Sequence, residues 1–256
     1  MAVDEDAAVT GKTYAPMVSR TPRTPRTPRA NRIRTYAAIL MLFVVGYALS
    51  HYAKAGIAAA CAAMDSSAEM RVVLSRFSAL AYALPYLLAG PLRREEYPLL
   101  RVGDFRAPVA FPFIWRGRID PTWRALVIFA AAASAGSGYF VARHLGGVEP
   151  AALPALIGYG AAFALLNSAV EEIAWRGVAL SRQAAWIGDV RALLVNSLLF
   201  GLAHYDLGFP LGVCLAFAVG GFFMGGAALR AGGIVPAILM HIFMNIIFVL
   251  SGIIFS

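Results

Sequence analysis

An all-α fold, a polytopic transmembrane helix bundle, is what this sequence predicts. Composition gives the first reason: 60% of the 256 residues are apolar and only 14% are charged, where soluble domains carry about 25% charge. The second reason is repetition. Uncharged stretches recur at 35–53, 77–92, 125–142, 151–170, 192–203, 207–229 and 231–256. About 20 apolar residues cross the roughly 30 Å hydrocarbon layer as a helix, so about seven spans are expected, with six to eight as the range. The third reason is physical. Lipid offers no partner to backbone N–H and C=O groups, which leaves helices or closed barrels, and the stretches lack the period-2 alternation of a barrel.

The elements follow in chain order. Residues 1–34 form a basic tail with a Thr-Pro-Arg repeat from Thr21 to Arg29. Such Pro- and Arg-rich sequence buries too little apolar surface to fold. It is expected to be a disordered cytoplasmic tail that anchors topology, with attraction to anionic lipid headgroups as the alternative reading. A cleaved signal peptide is not expected, because the basic leader is long and the following apolar run suits a retained span. Residues 35–256 form the transmembrane domain.

Between the second and third spans lies a segment, 93–124, with Phe105, Phe111, Phe113, Trp115 and Trp123 among arginines and prolines. Aromatic rings beside cations suit the headgroup layer, so this segment is expected to lie along the cytoplasmic surface. The pattern Gly221-Phe-Phe-Met-Gly225 permits close helix packing. Cys61 and Cys214 have no zinc-like or disulfide-framework spacing and read as small core residues.

Basic residues orient the bundle. With the N-terminus inside, eighteen of the 22 Lys and Arg fall on the cytoplasmic side or on connections to it. Only Lys54, Arg71, Arg76 and Arg143 fall outside, which agrees with the positive-inside rule. The formal charge of +8 is thus a topology signal, and no nucleic-acid partner is expected. Ala-rich spans and the lack of eukaryotic retention signals point to a bacterial inner (cytoplasmic) membrane.

The chemistry gathers in the second half. Glu171 and Glu172 close the uncharged run 151–170, and Arg176 follows. Ionisable groups at membrane depth are costly and mark function. Glu172 and Arg176 stand i,i+4 and can pair along one helix face. Glu171 points about 100° away, and is the candidate general base. Two further i,i+4 pairs follow: Phe200 with His204, and His241 with Asn245. Counted inward at 1.5 Å per residue from Arg182, Asp189 and Arg230, Glu171 lies about 16 Å deep, His204 about 22 Å and His241 about 16 Å. Three helices therefore bring polar groups to similar depth. Asn167, Ser168, Asn196 and Ser197 are the nearest other polar groups; they either line a water-filled cavity or bond between helices.

Glu171-Glu172-Ile-Ala-Trp-Arg176, Phe200-Gly-Leu-Ala-His204 and His241-Ile-Phe-Met-Asn245, in that order on late apolar segments, resemble the CAAX-protease and bacteriocin-processing family. That family is also called the abortive-infection family and includes the type II CAAX prenyl endopeptidases. The resemblance covers about residues 123–256, the expected catalytic core. It implies a glutamate-dependent intramembrane endopeptidase acting on a membrane-associated protein or peptide. Glu171 and His204 would hold and deprotonate water, His241 and Asn245 would stabilise the oxyanion, and Glu172, Arg176 and Phe200 would support the site or bind substrate. No cofactor is implied. Zinc held by the two histidines and a glutamate is the alternative chemistry, although no His-Glu-x-x-His occurs. A transporter, or a silent immunity or scaffold protein, is the non-enzymatic alternative.

Overall fold

The computed structural model describes residues 29–109 and 120–255. Helix α1 (Arg29–Ala63) starts ahead of the expected boundary at residue 35. The rest of the expected tail, and Phe111, Phe113 and Trp115, lie outside the described residues. After α1 come α2 (Ala68–Ser75), a 3-10 turn (Arg76–Ser78) and α3 (Ala79–Leu88), then α4 (Thr122–Leu145) and α5 (Leu153–Glu172). A π-helical stretch (Ile173–Leu180) joins α5 to α6 (Ser181–Ile187), and α7 (Asp189–Ala203), α8 (Leu211–Ala231) and α9 (Val235–Leu250) complete the chain.

Helix covers most of each uncharged stretch read from the sequence, but among the described residues four helices, and not about seven, have the length and apolarity of a span; α3 with 10 residues and α7 with 15 are shorter. Ile33–Ala63, Thr122–Leu145, Pro150–Ile187 and Leu211–Ala231 are long and apolar enough to cross a membrane, and Val235–Leu250 is a shorter apolar helix. By this measure the chain is an integral membrane protein.

Local chemistry sets the boundaries. Ser67 caps α2, its hydroxyl accepting from the Met70 amide at 3.1 Å, and so satisfies one orphan donor of the first turn. Gly188 separates α6 from α7 at φ +81°, and Gly232 ends α8 at φ +67°, a region open to glycine without steric cost. Proline stands in the first turn of α5 and of α9, where its missing N–H costs no hydrogen bond.

Helices α7 and α8 pack closely, and glycines permit it. A Cβ on Gly201 would lie 2.7 Å from Ala218 Cβ and 2.8 Å from the Ala218 amide nitrogen. One on Gly225 would lie 2.7 Å from Leu193. Close packing through small residues is the usual source of adhesion between membrane helices, since lipid is as apolar as the helix surface. Gly201→Ala is expected to destabilise the bundle by about 1–3 kcal/mol through overpacking. The thermal midpoint of the purified protein in detergent checks this; an unchanged midpoint would mean that the helices separate freely.

The connection after α3 is more than a surface-lying segment. It docks into one end of the bundle. Arg182, buried on α6, pairs with Glu96 at 2.6 Å and donates to the Tyr97 hydroxyl at 2.9 Å and the Pro91 carbonyl at 2.8 Å. The Asp104 amide donates to Ala231 O at 2.7 Å, and the Ile234 amide to Arg101 O at 3.0 Å. Tyr97, Leu99 and Val109 are buried. A two-residue antiparallel ribbon, β1 (Pro108–Val109) with β2 (Asp120–Pro121), closes this segment. A buried arginine demands acceptors, and the loop supplies them; that requirement does not register as periodicity. Cys61 and Cys214 are free and buried, as the composition suggested.

Candidate active site

The π-helical stretch puts the Glu-Glu pair in its setting. A π turn leaves carbonyls poorly matched to the α pattern, and such stretches gather at functional sites. Asn196 on α7 answers one of them, donating from Nδ2 to Trp175 O at 3.2 Å. Gly177 lets Leu100 of the docked connection press against the same stretch. Glu171 and Glu172 are the last residues of regular helix before it.

Glu172 and Arg176 are both fully buried, and Arg176 Nη1 donates to Glu172 Oε1 at 2.8 Å. His241 Nδ1 reaches the same oxygen at 2.9 Å. A carboxylate only accepts, so Nδ1 carries the hydrogen. Arg176 also donates to Gly221 O at 3.3 Å and lies 4.3 Å from the Phe200 ring centre. The expected Glu172–Arg176 pair is therefore present, with His241 as a third member.

Glu171 sits at the edge of this cluster. Its side chain is 14% exposed, and His241 Nε2 stands 3.8 Å from its Oε2, beyond hydrogen-bond reach. That oxygen is buried and without a hydrogen-bond partner. Glu171 and His204 together line a cleft of about 90 Å³, large enough for several waters. His204 is pinned. Its Nδ1 sits 2.8 Å from Phe200 O, and its ring stacks on Phe217 with centres 3.9 Å apart. The carbonyl accepts, so Nδ1 bears the hydrogen and Nε2 is left with its lone pair.

Phe200 is the hub. Its ring meets Trp175 edge-on at 5.3 Å, His204 at 4.8 Å and His241 at 6.2 Å. It thus sets the orientation of both imidazoles and of Arg176.

The placement of His241 and Asn245 differs from expectation. Neither lines the cleft. Asn245 is buried and donates to Ser168 Oγ at 3.0 Å; His241 belongs to Glu172. His241 nevertheless stays close to the candidate base, with its Nε2 3.8 Å from Glu171 Oε2. Asn196 and Ser197 also bond within or between helices, Ser197 to Leu193 O at 2.6 Å. Among the described residues no group of three or more His, Cys, Asp or Glu side chains is arranged to hold a metal ion.

The first spans contribute a wall that motif reading missed. Tyr47 and Lys54 of α1, Arg76 of the 3-10 turn and Tyr82 of α3 line the cleft. Tyr82 stacks on Trp175 with ring centres 4.0 Å apart. The available signal was charge: Lys54 and Arg76 are two of the few cations away from the basic end.

Residues 153–247 match the family described as type II CAAX prenyl endopeptidase Rce1-like. The resemblance carried by the three motifs is thereby shown over this segment. The Rce1-like segment runs from α5 into α9 and holds Glu171, Glu172, Arg176, Phe200, His204, His241 and Asn245. It is narrower than the expected 123–256. No curated protein and no solved structure matches the chain.

Proposed function

We propose that this protein is an intramembrane endopeptidase that hydrolyses a peptide bond of a membrane-associated protein or peptide by a glutamate-activated water. One observation carries the reading most strongly. Glu171 and His204 line one cleft, and Glu171 carries a buried carboxylate oxygen without a hydrogen-bond partner, inside an Rce1-like segment.

The chemistry follows from those two groups. A water in the cleft gives one proton to the Glu171 carboxylate while its second hydrogen bonds to His204 Nε2. The oxygen adds to the scissile carbonyl carbon. The tetrahedral species collapses with cleavage of the C–N bond, and the proton held by Glu171 passes to the leaving amine. Base and acid roles thus alternate on one side chain. Glu172, Arg176 and His241 fix the helix segment that carries Glu171. Phe200 orients His204, and Asn245 ties α9 to α5 through Ser168. No metal or cofactor enters this scheme. The N-terminus is assigned to the cytoplasmic side on the distribution of Lys and Arg, and a bacterial inner membrane on the Ala-rich spans.

Comparison of proteomes from cells expressing wild type and Glu171→Ala tests the activity. New membrane-protein termini are expected in wild type alone; identical termini in both would end the endopeptidase reading. The zinc alternative is separated by metal analysis and a chelator. Activity of the purified protein is expected to survive chelation without loss, and stoichiometric zinc with chelator-sensitive turnover would replace glutamate chemistry by metal chemistry.

A further inference from the structure

The cleft holds two cations that the scheme above leaves unused. Lys54 and Arg76 line it together with Glu171 and Asp206. Both come from the first spans, outside residues 153–247.

Arg76 is built in. Its Nε donates to Val72 O at 3.2 Å and its Nη2 to Ser75 Oγ at 3.3 Å, and its guanidinium lies 5.5 Å from the Phe163 ring centre. Among the described residues Nη1 has no hydrogen-bond partner, and neither Arg76 nor Lys54 has a carboxylate within ion-pair distance. The cleft has two acids. Asp206 is engaged by His51 at 3.1 Å, and Glu171 is the carboxylate assigned to the water. Glu171 and Asp206 offset part of the cost of the two cations from a distance, and an anion in direct contact would offset more of it.

We infer that Arg76, assisted by Lys54, forms an anion subsite that holds a carboxylate of the bound peptide beside Glu171. A guanidinium whose other N–H groups are fixed presents its remaining edge in a set direction, and a planar carboxylate matches it. A cleft of about 90 Å³ suits that compact group better than a phosphodiester with two ester arms. The subsite would set which part of a chain enters and in which direction, and so where the scissile bond falls relative to Glu171. The ligand's identity as a peptide rests on the endopeptidase reading; the anion preference itself does not.

The test uses the full chain in detergent with Glu171→Gln, so that turnover plays no part. Binding of acetyl-trileucine is followed by intrinsic tryptophan fluorescence, to which the cleft residue Trp175 contributes, with the free acid, its carboxamide and glycerol 3-phosphate as probes. The free acid is expected to bind about tenfold or more tightly than the amide, as for a charge-assisted hydrogen bond. Arg76→Gln is expected to erase this preference and Arg76→Lys to keep part of it. If Arg76→Gln does not fold, Lys54→Gln must still reduce the preference. Equal binding of acid and amide, or a preference that survives these changes, would overturn the subsite. So would displacement of the acid by glycerol 3-phosphate at equal affinity, which would assign the cations to lipid headgroups. Arg76-dependent acid binding with unchanged proteomes for Glu171→Ala would keep the subsite and remove the peptidase, while processed termini with no acid preference would do the reverse.

Discussion

Glu171→Gln is expected to reduce hydrolysis by at least about 10²–10⁴-fold, the range for loss of a positioned general base. The amide keeps the volume and planarity of the carboxylate but accepts no proton near neutral pH. Folding should be untouched, because Glu171 makes no hydrogen bond through Oε2 and no ion pair closer than 3.8 Å. Turnover of a processed substrate in proteoliposomes, with the thermal midpoint measured in parallel, separates the two effects. His204→Ala should act in the same direction, since it removes the second group holding the water. Undiminished turnover with glutamine at 171 would move the base elsewhere.

Arg176→Met is expected to be the most destabilising single change at the site. Glu172 and Arg176 are both fully buried, and removing one partner of a buried pair costs about 3–5 kcal/mol. The loss would extend beyond the pair, because Arg176 also meets Gly221 O on α8 and the face of Phe200 on α7. For a chain of this size the midpoint should fall by about 10 °C or more. Adding Glu172→Gln should recover part of it, since the stranded charge is then gone. A fall in activity with an unmoved midpoint would show that Arg176 serves substrate and not the fold.

The reading of helices from composition succeeded because a bilayer penalises every unpaired backbone group alike. That penalty writes itself into long uncharged runs, visible without knowledge of contacts. The i,i+4 pairs were equally legible. Glu172 with Arg176 and Phe200 with His204 are neighbours by helix geometry alone, and both contacts form. The docked connection from Glu96 to Asp104 was not legible. Its hold depends on Arg182 and on the backbone of Arg101, Ala231 and Ile234, partners far apart in sequence with no shared period.

The histidines show where local reasoning stops. Sequence depth placed Glu171, His204 and His241 at one level of the membrane, but depth carries no angle about the helix axis. Only packing of α7 and α9 against α5 decided that His204 shares the cleft with Glu171 while His241 turns to Glu172. The same packing brought Arg76 and Lys54 of the early helices to the cleft.

By itself the sequence determined a membrane-embedded helical chain and the set of acids, bases and amides available to it. Spacing along one helix is a covalent property, so pairs within a helix were settled there. Tertiary structure alone decided which of those groups face water, which neutralise one another and which line the cleft. Those outcomes depend on the rotation of each helix against its neighbours, and that is set by small residues such as Gly201, Gly221 and Gly225 meeting side chains from other helices.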